Sequence, residues 1–157
     1  LFSGTIKAIM EALDAKDSYT SGRSKRITYY SIIVAKQLGL STIDTGKVEL
    51  AGMLHDIGMI GVSDEILYKI DALSQEEYDE IKKHITYSVK ILEDIKQLKD
   101  VVEIIKYHHE KYDGTGYPYG VKGEDIPLGS RIIAVADAFD SIISNRIYRN
   151  KIELQDA

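Results

Sequence analysis

Residues 131–144 read RIIAVADAFDSIIS. Wound at about 3.6 residues per turn, the stretch is apolar on nearly every face, which predicts a helix buried at the centre of a helical domain. Asp137 stands in the middle of it, between Ala136 and Ala138. A lone carboxylate on a buried helix is costly unless a cation or strong donors meet it. Its partner is therefore either an arginine, such as Arg131 or Arg26, or a metal ion.

Outward from this helix the periodicity stays helical. Residues 1–16 place Leu1, Ile6, Ile9 and Leu13 near one stripe. A second helix runs from Arg23 to Leu38 and stops at Gly39. Ser41 to Asp44 offers caps for a third helix through Val48, Met53 and Leu54, which Gly58 is expected to end just past His55–Asp56. Ser63 or Asp64 caps a short turn in the connection that follows. Ser74 with Glu77 forms a capping box that opens one helix through Tyr78, Ile81, Ile85, Val89 and Leu92. Asp100 is expected to cap VVEIIKYHHEKY, and residues 113–129, with five glycines and both prolines, form an irregular loop. No stretch has strand periodicity. The expectation is an all-α, compact single-domain helical bundle of about seven helices.

The 157 residues are 44% apolar and 29% charged, the balance of one globular domain with a substantial core. No apolar run reaches the ~20 residues of a membrane span. A formal net charge of −5 argues against DNA as a partner, which calls for a basic face. With no cysteine, disulfides and thiolate metal sites are excluded, and cytoplasmic placement is the expectation. The chain opens on Leu1 and stops at KIELQDA, which reads as a fragment of a longer protein with its C-terminal helix truncated.

The four histidines are His55, His84, His108 and His109. One His on a helix is more often a satisfied polar residue than a ligand. Here His55 and Asp56 end one helix, His84 lies in the capped helix, and His108–His109 border the glycine-rich loop. Neighbours on a helix diverge by about 100°, so His108 and His109 can share an ion only at a frayed helix end. With Asp56 and Asp137 these make six nitrogen and carboxylate ligands on four helices, the set required by a two-metal hydrolytic centre bridged by Asp56. Such ligands suit Fe, Mn, Zn or Ni.

The motifs HDIG (55–58), KH (83–84), HHEKYDGTGYP (108–118) and AD (136–137) resemble the HD-GYP domain of the HD phosphohydrolase superfamily, over nearly the whole chain. The resemblance implies an all-helical, metal-dependent phosphodiesterase acting on cyclic dimeric GMP or a related cyclic dinucleotide, with a divalent transition metal as cofactor. It implies that His84, His108 and His109 hold one metal with Asp56 bridging, and that His55, Asp56 and Asp137 hold another. Asp56 or Asp137 would accept the proton of the attacking water. Tyr117 would line the guanine or ribose pocket, and Arg146 and Arg149 would face the phosphates, a pairing that suits guanidinium geometry. A sensor or receiver domain ahead of the chain and a homodimer are further expectations.

Three positions depart from the pattern. Arg23 replaces a first-metal histidine, Met59 replaces a phosphate-facing lysine, and Tyr19 stands where three-metal members carry a ligand glutamate. A guanidinium stays protonated and cannot ligate a metal; turned inward, Arg23 would pair with Asp137 and Asp56. The expectation is one tightly bound metal at the Asp56–His84–His108–His109 site and a second site weak or empty. Two readings stay open: a phosphodiesterase, or a degenerate HD-GYP domain that binds nucleotide or a protein partner without turnover.

Overall fold

The computed structural model describes residues 2–16 and 22–144; Tyr19, Arg146 and Arg149 lie outside them. The described residues form α1 (Phe2–Lys16), α2 (Arg23–Gln37), α3 (Thr42–Leu54), a single-turn α4 (Asp64–Leu67), α5 (Gln75–Lys82), α6 (His84–Leu92), α7 (Lys99–Lys106) and α8 (Leu128–Ile143). Short 3-10 turns span Ile57–Gly61, Lys96–Leu98 and Gly123–Asp125. No strand occurs among the described residues, and no helix there is long and apolar enough to cross a membrane.

The helix ends follow local chemistry. After α2 the amides of Gly39 and Leu40 bond the carbonyls of Lys36 and Ala35, with Gly39 at φ 75°. This left-handed glycine cap stops the helix where the sequence predicts. Ser41 accepts the Asp44 amide at 3.0 Å to open α3, and the Ser74–Glu77 capping box opens α5.

Several boundaries differ from expectation, among them the helix expected over VVEIIKYHHEKY, which ends at Lys106. α3 ends at Leu54, so Gly58 lies inside the 3-10 turn rather than closing the helix. The predicted helix from Tyr78 to Leu92 breaks at Lys83 into α5 and α6. There the His84 ring Nδ1 lies 2.7 Å from the Ile81 carbonyl, and the Lys83 amide turns back to the Glu80 carbonyl. Asp100 sits in the first turn of α7, whose N-cap is Leu98.

Helix α2 packs on α3 and α8, α3 packs on α7 and α8, and α6 packs on α7 and the Ile57–Gly61 turn. Ile27, Ala35, Val48, Ala51, Leu54, Ile105, Ile133 and Ala136 form the shared core. α2 and α3 approach so closely that a Cβ on Gly52 would meet the Thr28 Cα at 3.1 Å. Helix α8 buries one face through Ile132, Ile133, Ala136 and Asp140, but Val135 is 63% exposed. It is central on one side only, because α2, α3 and α7 cover just that face.

Candidate metal centre

Three histidines lie at three helix C-termini and share one device. His55 caps α3, His84 follows α5 and His108 follows α7. Each ring Nδ1 meets the carbonyl three residues back: His55 to Gly52 at 2.8 Å, His84 to Ile81 at 2.7 Å and His108 to Ile105 at 2.7 Å. Carbonyls in the last turn of a helix have lone-pair capacity to spare, and each ring donates into it. A carbonyl only accepts, so each ring donates its Nδ1 proton there and turns Nε2 inward, the atom that a metal would take.

These Nε2 atoms are buried and have no hydrogen-bond partner among the described residues. Asp56 faces two of them, with oxygens 3.1 Å from His55 Nε2 and 3.5 Å from His84 Nε2. Lone pairs therefore confront a carboxylate, an arrangement that calls for a cation or a proton between them. One ligand atom from each of Asp56, His84, His108 and His109 lies within 4.8 Å of the other three. Opposed ligands on one transition-metal ion at ~2.1 Å stand ~4.2 Å apart, so a contraction of well under an ångström closes this set on one ion. The residues fit a divalent metal.

Helix α7 ends at Lys106, and residues 107–109 are turns. Freed from helical divergence, the His108 and His109 rings lie 4.0 Å apart between centroids. The glycine-rich loop then folds back over them. A Cβ on Gly116 would lie 2.5 Å from the His109 carbonyl, the Tyr117 amide bonds that same carbonyl, and the Tyr117 ring stacks on His109 at 4.8 Å. Buried Glu110 accepts the Tyr119 amide at 2.7 Å, and the Tyr117–Pro118 peptide is cis. Tyr117, expected in a guanine or ribose pocket, thus has one face against a candidate ligand.

The electrostatics follow from burial and from Asp56. Burial pushes the His108 imidazole well below its ordinary pKa, helped by its histidine neighbours. It takes His109 down to about 3. For Asp56 burial pulls upward, but the surrounding histidines outweigh it and hold the carboxyl well below the usual range. Burial lowers His55, yet the charge of Asp56 beside it, with Asp137 behind, carries its net shift upward. Burial also pushes the Tyr117 phenol up.

The residues grouped as a second site behave differently. Asp137 is paired with Arg23 through Nη2 and Oδ1. Arg23 also reaches Ser141 at 3.3 Å and Asp140 at 3.8 Å. Its second carboxylate is thus Asp140 and not Asp56, which faces the histidines instead. Arg26 grips Asp140 at 2.6 and 3.1 Å, while Arg131 pairs with Glu124 at 3.1 Å. Asp137 therefore has an arginine partner, but neither Arg26 nor Arg131. A cation fixed on Asp137 does not fit an ion shared by His55, Asp56 and Asp137. Met59 is half-buried in the 3-10 turn.

Sequence reasoning missed Asp140, the fully buried carboxylate of the pair. The available signal was spacing: Arg23 and Arg26 on α2 match Asp137 and Asp140 on α8, each pair three residues apart and on one helix face.

A family model described as HD domain matches residues 7–157. The chain belongs to the HD domain family. Over 152 residues this HD domain is 40% identical to a 3'3'-cGAMP-specific phosphodiesterase of Vibrio cholerae, covering 97% of the chain and 33% of the relative. A cyclic di-GMP phosphodiesterase of Thermotoga maritima is 38% identical over 144 residues, covering 90% of the chain and 39% of the relative. The solved structure of an HDG"Y"P protein from Bdellovibrio bacteriovorus superposes with a TM-score of 0.69 at 26% identity, over 88% of this HD domain and 49% of that chain. The chain thus spans between a third and two fifths of the length of these two curated relatives. The family implies binding of a divalent metal, and the Asp56–histidine cluster is a candidate His/Asp site for it.

Proposed function

We propose that this HD domain is the hydrolytic domain of a cyclic dinucleotide phosphodiesterase and works with one tightly held divalent metal. The observation that carries the reading is the convergence of Asp56 with the ligand atoms of His84, His108 and His109, the Nε2 atoms of His84 and His108 having no hydrogen-bond partner among the described residues. Curated relatives named for cyclic di-GMP and for 3'3'-cGAMP support the substrate class.

Asp56, His84, His108 and His109 would hold the ion, which when bound polarises a phosphoryl oxygen and makes water a stronger nucleophile. The carbonyls of Ile81 and Ile105 fix the tautomers and aim of His84 and His108. Asp56 Oδ2 and His55 Nε2, 3.1 Å apart, form the pair best placed to accept and hold a proton from attacking water. Asp137 is engaged by the Arg23 guanidinium, which leaves Asp56 as the carboxylate that faces the histidines. Tyr117 and the loop cover the His109 side of the centre and exclude water there.

Arg23 and Met59 favour a second reading, in which the domain binds the dinucleotide without turnover. Metal content of protein purified without chelator, measured beside hydrolysis of cyclic di-GMP and 3'3'-cGAMP with Mn²⁺ or Fe²⁺, separates the two. One metal per chain with turnover is expected. Dinucleotide binding without turnover would leave only the binding module, and neither turnover nor dinucleotide binding would sink both.

A further inference from the structure

Arg23 is the one cation of the α2–α8 pairs that faces the histidine cluster, and Asp137, Asp140 and Ser141 already occupy its guanidinium. Met59 supplies no charge. A cyclic dinucleotide carries two phosphodiesters, so a single metal leaves one phosphate to be met by the chain.

Lys82 is the last residue of α5, two positions before His84. Its ammonium lies 4.6 Å from the Tyr78 ring centroid and 5.6 Å from that of Tyr117. Tyr117 in turn stacks on His109. One aromatic layer therefore separates this cation from the candidate metal ligands. Two ring faces hold the ammonium in place by cation–π attraction, which also draws the flexible stem out of free solution. Asp79 stands 3.0 Å away on the same helix. An i,i+3 pair with side chains 30% and 54% exposed is weak, and an ammonium has three donors. Lys82 can keep Asp79 and still donate to a phosphate, while Tyr78, 44% exposed, lies open beside it.

We infer that Lys82 contacts the phosphate of the dinucleotide that does not lie at the metal centre, with Tyr78 and Tyr117 positioning its ammonium. The inference rests on the cyclic dinucleotide reading above. In plain structural terms the alternative is a solvated helix-end lysine, whose removal changes nothing at the site.

The test uses the Mn²⁺-loaded chain and a phosphorothioate analogue of cyclic di-GMP, in which sulfur slows hydrolysis during a binding titration. Lys82→Met keeps the stem and removes the charge; it is expected to weaken binding roughly ten- to hundredfold, the loss of one charge-assisted contact. Lys82→Arg is expected to stay within about threefold of wild type, and metal per chain is expected to be unchanged in both. Binding by Lys82→Met within about twofold of wild type overturns the inference, as does an equal loss in Lys82→Arg, which marks packing and not charge. If the wild-type chain fails to bind the analogue, the dinucleotide reading falls by itself, and inorganic pyrophosphate becomes the probe. A weaker pyrophosphate complex in Lys82→Met then keeps Lys82 as an anion contact, and equal affinity removes it.

Discussion

Arg23 on α2 and Asp137 on α8, 114 residues apart in the chain, are joined in an ion pair beside the histidine cluster. Arg26 and Asp140 form the next rung of the same ladder. The pair is four-fifths buried on each side, with side chains 15% and 16% exposed. It therefore ties α2 to α8 and at the same time puts a fixed positive charge where a second metal would need an anion.

Arg23→Ala leaves Asp137 without that partner and is expected to cost about 1–3 kcal/mol in urea unfolding, below the value for a fully buried pair. Arg23→His replaces the cation with a neutral nitrogen ligand near His55, Asp56 and Asp137, and metal per chain is expected to rise from one to two. A count that stays at one in Arg23→His would show that the arginine charge is not what limits the second site.

Gly58 packs against the start of α6 with no room for a side chain. A Cβ there would lie 1.9 Å from the His84 carbonyl and 2.6 Å from the Ser88 amide, and the Gly58 amide donates to Ser88 Oγ at 2.9 Å. Gly58→Ala must push α6 away and is expected to cost about 3 kcal/mol, the upper end of ordinary overpacking. Since His84 begins α6, metal affinity should fall with stability. An alanine variant as stable as wild type would mean that the turn and α6 separate freely.

Glu110 holds the glycine-rich loop through the Tyr119 amide, and its other oxygen is buried without a hydrogen-bond partner among the described residues. Glu110→Gln keeps an acceptor of the same shape for the Tyr119 amide, so it is expected to preserve the fold. Glu110→Ala is expected to lose about 1–2 kcal/mol and to speed amide exchange at Tyr119 by at least tenfold. Unchanged exchange at Tyr119 in Glu110→Ala would remove the anchor role.

The metal-free chain has a pH dependence of known sign. His109 falls from 6.5 to about 3 and His108 is also depressed, so below pH 6.5 the unfolded chain binds protons that the folded chain does not. Stability should drop as pH falls, by about 1.7 kcal/mol for His109 alone between pH 6.5 and 5. His55 is shifted upward; its contribution is complete below its unfolded pKa and is lost as pH rises through the folded value. Urea melts with chelator present should therefore show a maximum near pH 6.5. Flat stability from pH 5 to 7 would contradict the burial of the two histidines.

Much of the fold was legible because its signals are local. The Gly39 stop, the Ser41 cap and the Ser74–Glu77 capping box each act within six residues, and all three appear as read. The break at Lys83 was not legible. Apolar periodicity runs straight through it, and no residue near Lys83 carries a local stop signal; the His84 ring turned back on the Ile81 carbonyl marks the place only in the folded chain.

The sequence by itself determined the ligand inventory, histidine and carboxylate without thiolate, and the helix-ending positions of His55 and His108. Tertiary structure alone decided how these divide. It brought Asp56, His84, His108 and His109 together and gave Asp137 to Arg23. Periodicity fixes which face of a helix a residue lies on. Which charges meet across two packed helices depends on their relative register, and that is set by core residues such as Ile27 and Ile133, far from the charges in sequence.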